Sequence, residues 1–415
     1  MSDRVGFVTS EQAMAWTAAR AAAYAAGRRA TPDPVEVPLG QADRLTLASA
    51  LTTLTDLPAF ATSSVDGYAA RGRGPWRIVG RVLAGSVPDP IADGYAVEIA
   101  TGAMVPEGTE QIIRTEDAEL GSDGRVSGRP RPMPDWREPG DEASKGEDLF
   151  SAGTPITPGV VGLAAACGYD TLPAILGARV AVVVFGDELL TYGPPGQGRV
   201  RDALGPQVPG WLHRLGADPV SGFDPRGPIE DTLDAHIAAI EDALTHANVV
   251  CTTGGTMHGP VDHLHPALAA LGARYVANTV AVRPGFPMLL AELPAAAAGG
   301  RSKFVAGLPG NPQSAIVALV SLVVPLLAGL AGRPEPPRQQ VTLGEHIPGR
   351  GDHTHLALVR IEPSGFAYPL EHSGSAMLRG LARADGFAVI EPGTEGSAGS
   401  HVSFVPLPLL SGGRP

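Results

Sequence analysis

Cysteine is nearly absent from this chain: Cys167 and Cys251 are the only two in 415 residues, each inside an apolar segment. That excludes a disulfide framework and points to a reducing compartment, with both thiols read as small buried hydrophobes. Aromatic residues make up 5% of the sequence, too few for the stacking platforms that grip single-stranded nucleic acid. Positive charge is scarce as well, 31 Lys and Arg against 43 Asp and Glu, for a formal net charge of −12. With no Lys/Arg cluster to release counterions, a duplex-binding surface is excluded. An anionic ligand must then be met locally, by backbone amides, a few basic side chains or a bound cation. The most apolar run, 315–330, is shorter than the roughly 20 residues of a membrane span and contains Pro325, so it reads as a buried helix. Asp3, Arg4, Glu11 and Arg20 interrupt the N-terminal segment where a secretion signal needs an apolar core. No such signal is expected, and the chain is expected to be cytoplasmic with no membrane partner.

Glycine and proline, by contrast, are plentiful at 53 and 40 residues, which predicts many turns and small β domains beside any helical part. The length exceeds one compact core, so two to four domains are expected. Residues 10–29 are alanine-rich with Trp16 and Tyr24 spaced for a helix, and Leu45 to Leu54 predicts a second short helix. From Leu57 to about Pro139, β-branched runs such as 76–82 and 95–100, bounded by Gly and Pro, predict a small β domain. Thr157 as N-cap with Pro158 behind it predicts a helix through Cys167, returning to the N-terminal helices. Beyond a proline-rich linker at 333–338, runs at 356–361, 387–391 and 401–405 predict a C-terminal β domain, with a short helix over 375–384.

The chain is organised around CTTGGTMHGPVD, Cys251 to Asp262. It follows an apolar strand run, 247–250, and precedes an apolar-periodic helix, 264–271. Gly254 and Gly255 allow positive φ and successive free N–H groups for an anion, and Asp262 places a carboxylate beside them. The pattern recurs twice. RVAVVVF, ending at Phe185, leads into GDELL with Glu188, and 304–306 leads through GLPGNPQSA into the apolar helix. Strand, loop and helix three times over predict an α/β domain, a parallel sheet with helices on both faces and a ligand crevice at the strands' carboxyl ends. Glu188, the 254–262 loop and the 307–314 loop would converge there. Pro309 and Gly310 fix a tight loop, while Asn311 and Ser314 offer polar groups at a helix N-terminus suited to an anion. In the β region, SSVDGYA with Asp66 and TGAMVPEG with Thr101 read by composition as turns. His258, His263 and His265 lie close in sequence, but Pro260 and Pro266 break their regularity and no cysteine is near, so they read as core or surface residues rather than zinc ligands. His353 and His355 share a face if they lie on a strand, and read as solvated.

Seven motifs, SSVDGYA, TGAMVPEGTEQIIRTED, KGEDLFSAG, GDELL, TTGG with Asp262, GLPGNPQSA and HSGSAMLRGLARADGF, stand in register along the chain. Together they resemble the MoeA family of molybdopterin molybdenumtransferases, related to the E domain of gephyrin. The resemblance implies a multidomain α/β fold: a discontinuous helical domain (1–56 with 144–176), an inserted β domain (57–143), a three-layer α/β molybdopterin-binding domain (177–332) and a C-terminal β-barrel-like domain (333–415). It also implies a homodimer that hydrolyses adenylylated molybdopterin with Mg²⁺, inserts molybdate into the dithiolene and releases AMP. A MogA-like adenylyltransferase and apo molybdoenzymes are the implied protein partners. Hard cations take oxygen ligands, so Asp148, Glu188 and Asp262 are the implied metal ligands. Glu188 and Asp262 would also orient water, with Asp66 and Thr101 the catalytic residues of the β domain. Gly254, Gly255, Pro309, Gly310, Asn311 and Ser314 would hold the pterin substrate. Arg283 in RPGFP, Arg350 in PGRGD and Ser375 in HSGSA would meet the molybdate oxyanion.

The chain departs from the family pattern at defined positions. KPGKP is here RPGFP, so the second cation becomes Phe286; TGDE is FGDE, with Phe185 removing a hydroxyl; DSN is Asp202-Ala203-Leu204; and GGVSVG is GGTMHG. The basic position ahead of GED is Ala143. Two alternatives follow: a paralogue that binds a pterin or nucleotide, or serves as a scaffold, without insertion chemistry, and a phosphohydrolase acting on another dinucleotide.

Overall fold

The computed structural model describes residues 13–219, 226–257, 262–293 and 300–408. By packing, these form two compact units, one of Met1–Val35, Arg44–Thr46 and Ile175–Pro415 and a smaller one of Glu36–Asp43 and Leu47–Ala174.

The larger unit is built on a sheet containing β1 (Arg179–Phe185), β2 (Val249–Thr253), β3 (Arg274–Asn278), β4 (Leu289–Leu293) and β5 (Lys303–Leu308), in spatial order β1-β2-β5-β4-β3. The β1–β2 and β2–β5 pairs are parallel, as the repeated strand–loop–helix pattern requires. β4 and β3 extend the sheet antiparallel, so it is mixed rather than wholly parallel. Strand alternation sends Val180, Val182 and Val184 to one face, against the apolar Pro312–Leu330 helix. Ala181, Val183 and Phe185 face the other side, against the Leu233–His246 and Leu264–Ala270 helices. Both faces are thus covered, which is why β1 reads as an unbroken apolar run.

Pro312–Leu330 is long and apolar enough to cross a membrane, yet 94% of it is buried inside the protein. It passes through a π-helical turn at Leu319–Val323 just ahead of Pro325, where a residue lacking an N–H is most easily absorbed. The alanine-rich N-terminal segment forms the Trp16–Arg29 helix and lies along it. Backbones meet at Gly27 and Gly329: a Cβ on Gly27 would stand 2.3 Å from the Leu326 carbonyl oxygen. Trp16 Nε1 donates to Ser321 Oγ at 2.8 Å, so the one polar atom of a buried indole is satisfied.

The C-terminal strands Gln339–Leu343, Thr354–Ile361, Phe366–Pro369, Gly386–Ile390 and His401–Pro406 close into a five-stranded barrel, because Thr354–Ile361 pairs with both Phe366–Pro369 and Gly386–Ile390. Closure leaves no open edge among these five. The helix expected over 375–384 is reduced to a single 3₁₀ turn at Leu381–Arg383.

In the smaller unit a six-stranded sheet runs in the order 118–120, 125–128, 76–82, 95–99, 67–70 and 111–114. The helix expected over 45–54 does not form. Thr46–Leu47 and Leu51–Thr52 are short strands, and the latter pairs with Asp148–Phe150; tertiary pairing overrides a weak local preference. The capped helix appears at Pro158–Ala166, with Thr157 Oγ1 accepting from the Val160 N–H.

Candidate active site

A cleft of 750 Å³ opens in the larger unit between the RPGFP turn, the GLPGNP loop and the barrel segments around Arg350 and Ser375. Its lining includes Arg283, Pro309, Asn311, Ser314, Arg350 and Ser375, six residues read from the sequence as ligand-binding and now on one surface. Asn311 is the N-cap of the Pro312–Ala318 helix and its side chain makes no capping bond, which leaves its amide to the cleft. The helix's own donors are less available than the sequence implied. Gln313 N–H donates to the Ser375 carbonyl at 3.0 Å and Ser314 N–H to the same oxygen at 3.4 Å. The Gln313 amide, turned to satisfy both neighbours, donates to the Ser373 and Gly374 carbonyls at 2.9 and 3.0 Å. The serine loop thus occupies the positive end of the helix, which leaves mainly side chains to offer donors to the cleft.

Arg283 and Arg350 are the permanent cations of this cleft. Arg283 lies with its Cζ 4.8 Å from the centroid of Phe286, the residue standing where the family pattern has its second lysine. The Phe286 ring lies 5.4 Å from that of His353. His353 and His355 are not solvated as the spacing implied; His353 is half-buried and His355 buried, and both line the cleft. Burial holds both imidazoles below the ordinary histidine range, with the Arg283 charge adding to the effect on His353 and the Arg350 charge to that on His355. At neutral pH they supply hydrogen-bonding groups rather than charge.

Glu188, Gly254 and Gly310 follow the carboxyl ends of β1, β2 and β5, three adjacent strands, so the three loops begin side by side, as predicted. Gly254 and Gly255 take φ values of +86° and +66°. Gly254 N–H donates to the Leu308 carbonyl at 3.0 Å, which removes one of the donors expected to face an anion. A Cβ on Gly310 would lie 3.7 Å from Gly254 Cα, so this loop and the cleft loop are in contact. Glu188 is exposed, and its carboxylate accepts no hydrogen bond among the described residues. Asp262 is half-buried just ahead of the Leu264–Ala270 helix. His258 lies outside the described residues. His265 Nδ1 pairs with Tyr275 Oη at 2.7 Å, and no cluster of three or more His, Cys, Asp or Glu suited to a metal occurs among the described residues. A cation that takes one or two carboxylates and completes its shell with phosphate oxygens and water does fit an exposed, unbonded Glu188.

In the smaller unit, Asp66 and Thr101 are joined directly. Asp66 Oδ1 accepts from Thr101 N at 2.7 Å and Thr101 Oγ1 at 3.1 Å, while Gly102 N–H donates to the Ser63 carbonyl at 2.8 Å. The SSVDGYA and TGAMVPEG loops are thus one structure, not two separate turns. Gly67 is no hairpin glycine: it begins the Gly67–Ala70 strand, and a Cβ there would stand 2.3 Å from the Ile113 carbonyl oxygen. Arg114 donates to both oxygens of buried Asp135, at 2.6 and 3.0 Å, and this fork holds the Asp135 carboxyl below its usual range. Asp148 is exposed at the start of the Asp148–Phe150 strand, its Oδ1 accepting from Thr52 Oγ1 at 2.6 Å.

Two contributors escaped the sequence reading. Buried His236 stacks on Phe185 at 3.6 Å and approaches His263 edge-on, with Asp231 Oδ1 3.5 Å from its Nε2. Phe185, which replaces a hydroxyl in the family pattern, thereby acquires a ring partner 51 positions away that no local motif marks. Gln313, to which its motif assigns no role, clasps the serine loop. Cys251 is inert packing, its thiol pushed up to about 12 by burial on β2.

Comparison with known proteins matches this architecture throughout. The MoeA N-terminal region (domain I and II) matches residues 8–168, a probable molybdopterin binding domain matches 181–329, and the MoeA C-terminal region (domain IV) matches 340–407. A molybdopterin molybdenumtransferase of Haemophilus influenzae is 31% identical over 67% of this chain and 68% of its own length. One of Bacillus subtilis is 28% identical over 84% of each. The solved molybdopterin biosynthesis MoeA protein of Pyrococcus horikoshii superposes with a TM-score of 0.74 at 21% identity, covering 94% of this chain and 99% of that one. The chain belongs to the MoeA family of molybdopterin molybdenumtransferases, transferases of molybdenum cofactor biosynthesis.

Proposed function

We propose that the chain takes adenylylated molybdopterin and molybdate as substrates, inserts molybdenum into the dithiolene and releases AMP. The observation that carries this reading is the single cleft that gathers Arg283, Arg350, Ser314, Asn311 and Ser375 beside the glycine loops at the sheet's carboxyl edge. Two arginines and short polar side chains suit a tetrahedral oxyanion, since charge-assisted hydrogen bonds are the strong ones. Glu188 and Asp262 are assigned to hold Mg²⁺ and orient water. Bound there with phosphate oxygens, the ion would screen phosphate charge and lower the pKa of a coordinated water. Asp66, Thr101 and Asp148 are assigned to the same reaction through the family pattern. A cytoplasmic homodimer, supplied by a MogA-like adenylyltransferase and serving apo molybdoenzymes, completes the proposal.

Phe286 favours one competing reading, ligand binding without insertion, because it removes a cation from the oxyanion subsite. Purified chain given adenylylated molybdopterin, Mg²⁺ and molybdate, scored by AMP release and by activation of an apo molybdoenzyme, separates the two. Turnover that is lost in Glu188→Ala and in Asp262→Ala supports the insertase. Full activity in both variants refutes the assignment of these acids, and tight binding without AMP release makes the chain a binder.

A further inference from the structure

A second cavity in the larger unit, of 400 Å³, shares no residue with the cleft. Val320, Val324 and Leu327 of the long apolar helix and Ala331 just past its end form its floor, together with Phe404 of the His401–Pro406 strand and Leu407 just beyond that strand. A volume of this size suits a small organic ligand, and an apolar body with a few convergent polar groups is the usual form of such sites.

The charges at its rim are unequally paired. Arg20 reaches Glu335 at 3.5 Å and Arg338 reaches Glu391 at 3.6 Å. Arg333 and Arg214, which also line the cavity, meet no carboxylate among the described residues. Arg333 is fixed by neutral acceptors instead, donating from Nε to Thr46 Oγ1 at 2.8 Å and from Nη2 to the Arg44 carbonyl at 2.7 Å. Arg44 adds a further positive charge nearby and is itself bonded to the His213 carbonyl at 2.8 Å. A guanidinium does not shed its proton to escape burial, so this end of the cavity holds positive charge in want of an anion.

We propose that this cavity binds a small amphipathic monoanion, a medium-chain carboxylate whose tail lies on the apolar floor and whose carboxylate meets Arg333 and Arg214. Neither the cleft nor the insertase reading is needed for it.

Calorimetric titration of the full chain with decanoate below its micelle concentration tests the proposal. Saturable binding to one site per chain is expected, with decanol and the Arg214→Glu variant each binding roughly tenfold more weakly or worse, since a charge-assisted hydrogen bond is lost. Ala328→Phe, which puts a ring into the cavity, should abolish binding. Arg214 is exposed and makes no hydrogen bond or ion pair among the described residues, so its variant should fold normally and decides the matter even where the cavity-filling variant does not. Absence of saturable binding, equal affinity for decanol, or an unchanged Arg214→Glu would each overturn it.

Discussion

Replacing Gln313 with leucine probes the clasp on which the cleft depends. The side chain is 1% exposed, and a leucine of similar volume leaves little void, so packing loss is minor. What disappears are two hydrogen bonds, to the Ser373 and Gly374 carbonyls. Each neutral bond is worth about 0.5–1.5 kcal/mol net, and an acceptor left buried would cost about 1–3 kcal/mol. Ser373, Gly374 and Ser375 are exposed, so water can reach the abandoned carbonyls and the smaller figure applies. The expected loss is therefore about 1–3 kcal/mol in total. The backbone bonds from Gln313 and Ser314 to Ser375 survive, so the helix should persist while the loop loosens. Hydrogen exchange over 371–380 should accelerate by roughly tenfold or more, and tungstate, used as a tetrahedral oxyanion probe, should bind several-fold more weakly. Gln313→Glu should be worse, because a carboxylate would face carbonyl oxygens. Unchanged exchange and unchanged tungstate affinity in Gln313→Leu would refute the clasp.

The histidines make stability pH-dependent in a stated direction. Burial places His236, His353 and His355 below the unfolded value of 6.5. Below pH 6.5 the unfolded chain therefore binds protons that the folded chain refuses, and stability should fall with pH until the folded values are passed. Urea midpoints of the larger unit compared at pH 7.5 and 5.5 check this, and a flat profile would mean that these rings are not held neutral. In the smaller unit, Gly67→Ala forces a Cβ to 2.3 Å from the Ile113 carbonyl oxygen, a backbone atom that cannot swing aside. A loss of about 1–3 kcal/mol is expected, with displacement of neighbouring Asp66; an unchanged melting midpoint would contradict the close strand approach.

Sequence by itself determined the repeated strand–loop–helix pattern, the loops that carry Glu188, Gly254 and Gly310, the buried apolar helix and the alternating C-terminal strands. These follow from hydrophobic period and turn chemistry, which are local. The family resemblance likewise rests on motifs that are each contiguous. Only the tertiary structure decided which donors remain available. Gly254 spends its N–H on Leu308, and the helix N-terminus at Gln313 and Ser314 spends two on Ser375, partners separated by tens of residues. The same holds for Phe185 meeting His236, Arg283 lying over Phe286, and Leu51–Thr52 becoming a strand through pairing. A residue's type says what bonds it can make; which of them are already taken depends on distant segments brought together by packing, and no local pattern encodes that.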